Sequence, residues 1–151
     1  MEAVGYWSTV HIYPNDMEAQ WLAIRDDGAG WWMRGNVFEF DSYRFFWREP
    51  RTGMLELRIT GYQMGAWSHR RFRPSVRNAE HHRRTVRYDA KTDYNAVGEL
   101  TTVLELSPVT VPGFFWSERF AWEGSRAPRS GNPWATVGRA RFGGRVSRPR
   151  R

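Results

Sequence analysis

Ala19-Gln20-Trp21-Leu22-Ala23-Ile24-Arg25-Asp26-Asp27-Gly28-Ala29-Gly30-Trp31-Trp32-Met33-Arg34 decides the fold class. Two runs rich in β-formers flank Asp27-Gly28, and Asp-Gly between such runs is a strong short-range hairpin signal. A two-residue turn there sets Ile24 opposite Trp31 and Leu22 opposite Met33, so those four side chains are expected to face inward together. Working outward, the same pattern recurs at about 4–13, 19–26, 29–38, 42–48, 54–62, 83–90, 98–107 and 113–123. Eight amphipathic strands are enough to close a small barrel. The expectation is an all-β protein, an eight-stranded antiparallel up-and-down β-barrel over residues 1–124, followed by a basic tail at 125–151.

The faces follow from parity. The Glu49-Pro50-Arg51-Thr52-Gly53 turn puts Trp47 opposite Leu55 and Phe45 opposite Leu57, with Arg44, Arg48, Glu56 and Arg58 outside. Fixing Trp7 inward carries Thr9, His11 and Tyr13 with it. In the last strands, Leu106 paired with Phe114 sets Leu104 against Trp116, Thr102 against Glu118 and Leu100 against Phe120. The sixth strand then adds Arg84, Val86 and Tyr88 to the same face. The expected lining is Trp7, Trp31, Tyr43, Phe45, Trp47, Trp116 and Phe120, with Arg84, Thr102, Tyr88, Glu118 and His11 as its polar groups. Plain filling of the barrel by these aromatic side chains is the competing reading.

Glu118 is the candidate general acid or base, because desolvation among aromatics raises a carboxyl pKa and a neighbouring Arg84 lowers it again. Tyr88 and His11 are its candidate hydrogen-bond partners. An internal ion pair with Arg84, or a register that turns Glu118 to water, remain the alternatives. His81-His82 and His69 lack metal-ligand spacing, and no phosphate loop or nucleophile motif is present, so neither metal nor cofactor is expected. The segment 63–82 is too long for a hairpin loop and is expected as a flap over one mouth or a short helix.

The chain has 151 residues, no cysteine and a formal net charge of +7. Lack of cysteine excludes a disulfide framework and thiol chemistry. Eight arginines without an acidic neighbour fill the tail, from Arg126 to Arg151, and leave the rest of the chain at about −1. The tail is expected to be flexible or loosely docked, with Trp134 to Phe142 patterned for an extra strand. A near-neutral body with no second basic surface argues against a nucleic-acid partner. No segment is long and apolar enough for a membrane span, and Met1 to Val4 lacks the regions of a signal peptide, so a cytoplasmic protein is expected, monomeric or homodimeric.

Gly5-Tyr6-Trp7 on the first strand resembles the G-x-W of lipocalins and the wider calycin group, and Thr92-Asp93-Tyr94 after the sixth strand is similar to their T-D-Y. The resemblance implies a closed antiparallel barrel that binds a small hydrophobic or aromatic molecule, while the short connection Pro14 to Glu18 and the lack of cysteine and signal peptide depart from secreted lipocalins and favour an intracellular bacterial type. It also implies an Arg packed across Trp7, for which Arg119 or Arg126 are the candidates. Three functions are carried forward. The first is a small-molecule-binding barrel, and the second a cofactor-independent cyclase, isomerase or dehydratase of polyketide-like or terpenoid-like substrates. The third is an interaction module that binds an acidic partner through its Arg-rich tail.

Overall fold

A computed structural model of the chain describes residues 2–13, 17–68, 71–111 and 114–135, the last range with backbone alone at 114–115. The strands are β1 (Gly5–Ser8), β2 (Ala19–Ile24), β3 (Ala29–Gly35), β4 (Glu39–Arg51), β5 (Met54–Ser68), β6 (Arg71–Tyr94), β7 (Leu100–Leu106), β8 (Thr110–Val111), β9 (Phe114–Phe115) and β10 (Arg119–Gly124). Eight of them form one antiparallel sheet that closes in a ring, in the order β1-β10-β7-β6-β5-β4-β3-β2. Sequence neighbours are sheet neighbours almost throughout, as expected of an up-and-down arrangement. The short β8–β9 pair sits apart in the excursion between β7 and β10.

The strands are unequal. β1 has four residues whereas β4, β5 and β6 have 13, 15 and 24. At roughly 3.3 Å per residue, β5 alone runs about 50 Å, far beyond the reach of β1. The segment 63–82 is therefore neither a flap nor a helix. It continues the β5–β6 hairpin, pairing from Gln63↔Arg77 to Ser68↔Arg71. Its arginines and histidines obscured the strand pattern because much of both faces is exposed there, which removes the apolar alternation on which strand recognition depends.

The β2–β3 register differs from the sequence expectation by one residue. Ile24 pairs with Gly30 and Leu22 with Trp32. The turn has three residues, Asp26-Asp27-Gly28, with the Arg25 N–H bonded to the Ala29 carbonyl at 2.9 Å. Gly28 takes the left-handed conformation, φ 82°, that closes such a loop. One additional turn residue exchanges the faces of β3. Trp32 is inside with Leu22 and Ile24, while Trp31 and Met33, expected inside, lie on the outer face with Ala23.

Other registers slipped by an even number and kept their faces. Phe45 pairs with Ile59 and Trp47 with Leu57, so Phe45, Leu55 and Leu57 are buried inside as expected, with Trp47 packed against them. Tyr88 pairs with Leu106, Ala90 with Leu104 and Thr92 with Thr102. Leu104 meets Phe120. The interior therefore holds Trp7, Tyr43, Phe45, Tyr88, Trp116 and Phe120 from the expected lining, but not Trp31.

Irregularities place two expected inward residues elsewhere. β1 ends at Ser8, and 9–12 turn back with the Ile12 and Tyr13 N–H groups on the Thr9 carbonyl. His11 is consequently exposed, 3.9 Å from Glu123, and does not line the barrel. β10 begins only at Arg119. The chain bends at 117–118, which interrupts the alternation between Trp116 and Phe120, and Glu118 is exposed. Its carbonyl accepts the Leu106 N–H at 2.8 Å. Thr102 is also exposed, four positions beyond Leu106 toward the opposite end of β7.

The interior is packed by its own side chains. Val109, Val111 and Trp116, from the segment between β7 and β10, join it from one end, and Ala3 and Val4 from the other. A second apolar layer covers the outside of β2 to β5, where Trp31, Met33, Ala23 and Phe40 meet Trp21, Trp67, Phe72, Ala127 and Trp134. The first part of the tail is thus docked. The Trp134 indole N–H donates to Ser42 Oγ at 2.9 Å, the Gln63 amide donates to the Pro133 carbonyl at 2.7 Å, and the Arg44 guanidinium lies 4.9 Å from the Trp134 ring. The remainder of the tail, including most of the strand expected at 134–142, falls outside the described residues.

Candidate site at one barrel mouth

Bulges in β5 and β6 create the site. Between Ile59↔His82 and Gly61↔Ala79, β5 carries one extra residue and β6 two. Bulges exchange faces and redirect side chains. Above them Tyr62 turns inward against Tyr43, with ring centroids 4.9 Å apart, while Gly61 and Gln63 pass to the outer face beneath the docked tail. His82 pairs with Ile59, which is buried inside, and its Nε2 lies 2.7 Å from Glu80 Oε2. Both partners are half-buried, their side chains 25% and 23% exposed.

A ladder of aromatic rings leads from this pair into the barrel. Tyr62 contacts Tyr43, Tyr43 is 6.0 Å from Trp32, and Trp32 stacks on Trp116 at 5.4 Å with the planes 6° apart. Phe45 closes the floor, 5.6 Å from Trp116. Gln20 holds the stack in place, since its Oε1 accepts both the Trp32 indole N–H at 2.9 Å and the Ser117 backbone N–H at 2.6 Å. Trp67 and Trp116 carry buried indole N–H groups without a hydrogen-bond partner. Trp67 belongs to the outer apolar layer, whereas Trp116 is 3% exposed and lies in the interior. A buried donor left unpaired is uncommon and unfavourable, and it marks a place where an acceptor belongs.

At the rim, Arg34 bonds Asp41 through Nη2 to Oδ2 at 3.0 Å and Nε to Oδ1 at 3.3 Å. Burial pushes the Asp41 carboxyl above its ordinary range, and Arg34 opposes that shift. Next to the pair is a small hollow of about 120 Å³ bordered by Glu18, Asn36, Glu39 and Met64. Burial, and then the charge of Glu80, raises the Tyr43 phenol to about 12, and burial raises Tyr62 in the same direction. Both phenols therefore remain protonated at neutral pH and act as donors. Beside them the Glu80 carboxylate orients the His82 imidazole, leaving Nδ1 as an acceptor when the ring is neutral.

The sequence-derived site is not assembled in this form. Tyr88 lies toward the opposite end, where its hydroxyl bonds the Glu49 carboxylate; burial and that bond raise it to about 12. Arg84 is half-buried, its Nε donating to the Thr110 carbonyl at 2.7 Å. Glu118, Thr102 and His11 are exposed and separate from it. Tyr43, Phe45 and Trp116 are the members that the structure does bring together. Trp32, Tyr62, Glu80 and His82 were missed. For Trp32 the missing signal was the third turn residue, and for Tyr62 and Glu80 it was a pair of bulges that no alternation pattern reveals; His82 continues the alternation of Arg84, Val86 and Tyr88 but falls just before the strand expected from 83.

Trp7 is fully buried, with its indole N–H bonded to the Ala3 carbonyl at 3.0 Å. Its aromatic partner is Trp122, edge-on at 4.9 Å. Arg119 instead bonds Asp93 at 2.8 Å and approaches Glu105. Among the described residues no group of three or more histidines and carboxylates is gathered as a metal ion would require. No protein-family model, no curated protein and no solved structure matches the chain.

Proposed function

We propose that the chain binds a small planar aromatic molecule bearing a hydrogen-bond acceptor, at the mouth formed by Tyr43, Tyr62, Glu80 and His82 above the Trp32–Trp116 stack. The unpaired Trp116 indole N–H carries this reading, because it is a buried donor in an aromatic setting with no acceptor of its own. Aromatic walls with a few convergent polar groups are the usual composition of small-molecule sites. The ligand is held at the mouth, since the middle of the barrel is occupied by the protein's own side chains. We take the barrel to be of the calycin type. Support for this comes from the sequential strand order and from Gly5-Tyr6-Trp7 on the opening strand.

A second reading, a cofactor-independent cyclase, isomerase or dehydratase, is favoured by one observation: the Glu80–His82 pair beside two protonated phenols. A base and two donors facing one ligand suit proton transfer next to a carbonyl. In that reading His82 takes the role that the sequence assigned to Glu118.

The test is an indole N–H spectrum of ¹⁵N-labelled protein titrated with a panel of bicyclic aromatic ketones and lactones, with the Trp116 resonance assigned by Trp116→Phe. Saturable displacement of that resonance, weakened in Tyr62→Phe, is the expected result. A panel that leaves it unmoved sinks the proposal. Conversion of a bound member, lost in His82→Gln while binding persists, selects the enzyme.

A further inference from the structure

The outer face of β4 to β6, on the other side of the sheet from the Tyr43–Tyr62 mouth, bears a groove of about 600 Å³. Its floor includes Phe46, which is half exposed, with the Arg58 guanidinium 5.2 Å from the ring centroid. Arg58 pairs across the strands with Arg83, and one row away Glu56, salt-bridged to Arg48, pairs with Thr85. Arg87 follows at the next outward position of β6. Among the described residues, neither Arg83 nor Arg87 has an acidic partner. Residues 71–87 of β6 contain six arginines and one glutamate. Asp89 and Glu105, paired with each other, bound the basic face on its far side.

A nearly neutral body without a second basic surface would disfavour nucleic acid. Folding supplies one, because the sheet sorts a nearly neutral body into a basic face and an acidic border. Outward residues in such a sheet repeat at roughly 6.6 Å along a strand and about 4.8 Å across it. That grid presents a row of guanidinium groups on the β5–β6 side of an exposed aromatic ring, the combination by which single strands are gripped: cations on the phosphates and a ring beneath a base. Duplex would engage the cations but has no unstacked base for Phe46.

We propose that this face binds single-stranded nucleic acid, with Arg58, Arg83 and Arg87 on phosphates and Phe46 stacking on a base. The test uses the full chain and a fluorescein-labelled dT20 oligonucleotide, followed by anisotropy across a salt series. The variants are Arg58→Gln/Arg83→Gln/Arg87→Gln and Phe46→Leu, with circular dichroism to confirm that each is folded. Each lost phosphate contact flattens the plot of log affinity against log salt by about 0.7. The triple variant should therefore lose about two units of slope and bind at least about tenfold more weakly at low salt. Phe46→Leu should weaken binding about tenfold with the slope unchanged. Should the triple variant keep the wild-type slope, the binding belongs to the tail arginines and the proposal fails. Equal affinity for dT20, duplex DNA and heparin, with Phe46→Leu silent, would reduce the face to an unspecific polyanion surface and overturn it as well.

Discussion

Gly5→Ala tests how the opening strand is built. A Cβ at this position would overlap Trp122 Cζ3 and lie 2.8 Å from Cη2 and 3.0 Å from Cε3. The backbone there has φ 159°, a conformation that L side chains rarely adopt, so space and conformation both oppose a side chain. Trp122 packs edge-on against the buried Trp7 and is itself only partly covered. An alanine must displace the ring or push β1 from β10. Overpacking a well-filled site costs about 1–3 kcal/mol. Loss of the Trp7–Trp122 pair adds about 0.5–1.5 kcal/mol. Together they come to about 2–4 kcal/mol, a large share of the stability of a typical domain. With a urea dependence of about 2 kcal/mol per molar, the unfolding midpoint should fall by about 1–2 M.

The assay is urea unfolding followed by far-ultraviolet circular dichroism for wild type, Gly5→Ala, Trp122→Ala and the double variant. Removing the indole removes the clash but not the backbone strain, so in the Trp122→Ala background Gly5→Ala should cost clearly less than in wild type while still costing about 1 kcal/mol. A Gly5→Ala midpoint equal to wild type, or an undiminished cost in the Trp122→Ala background, would refute the packing account of the glycine.

Trp134→Ala removes the bond to Ser42 and the cover over the outer layer. A loss of about 2 kcal/mol is expected, seen as a melting temperature lower by about 4–8 °C. Folded Tyr6, Tyr43 and Tyr88 ionise near 12 where the unfolded chain ionises near 10. The fold holds those protons, so stability is fully present below pH 10 and is lost as pH rises from 10 to 12. Thermal melts in that window should show the decline, and Tyr43→Phe should make it shallower. Glu118→Gln should change stability by less than about 0.5 kcal/mol, because the carboxylate is exposed. A larger loss in chemical denaturation would return Glu118 to the interior.

Parity was readable in the sequence and registration was not, for a physical reason. Inward-facing side chains are selected by water, and that selection leaves a period of two in the composition of each strand; hence Trp7, Phe45, Leu57, Tyr88, Leu104 and Phe120 were found. Turn length and bulge position leave no such trace. An even slip, as between β4 and β5 or β6 and β7, is harmless because the faces survive it. The single residue Asp26, taken into the β2–β3 turn, exchanged Trp31 for Trp32. At Glu118 the alternation of Trp116 and Phe120 held on both sides of a bend that breaks it between them. Residues 71–82 had their strand pattern masked by exposure of both faces.

The same irregularities separate structural from functional surface. A regular eight-stranded ring of this size would fill with side chains from end to end, and its outside would be uniformly wetted. Here the β5–β6 bulges turn Tyr62 toward the mouth that His82 borders while sending Gly61 and Gln63 outward, where the tail covers this face through Pro133 and Trp134. Among the described residues that cover reaches Arg44, whose guanidinium lies against Trp134. On the same outer face, among the described residues, Phe46 is half exposed with Arg58 beside its ring. An exposed ring with Arg58 against it and Arg83 and Arg87 on the next strand is what a nucleobase with its flanking phosphates would complete in the single-strand binding proposed for this face.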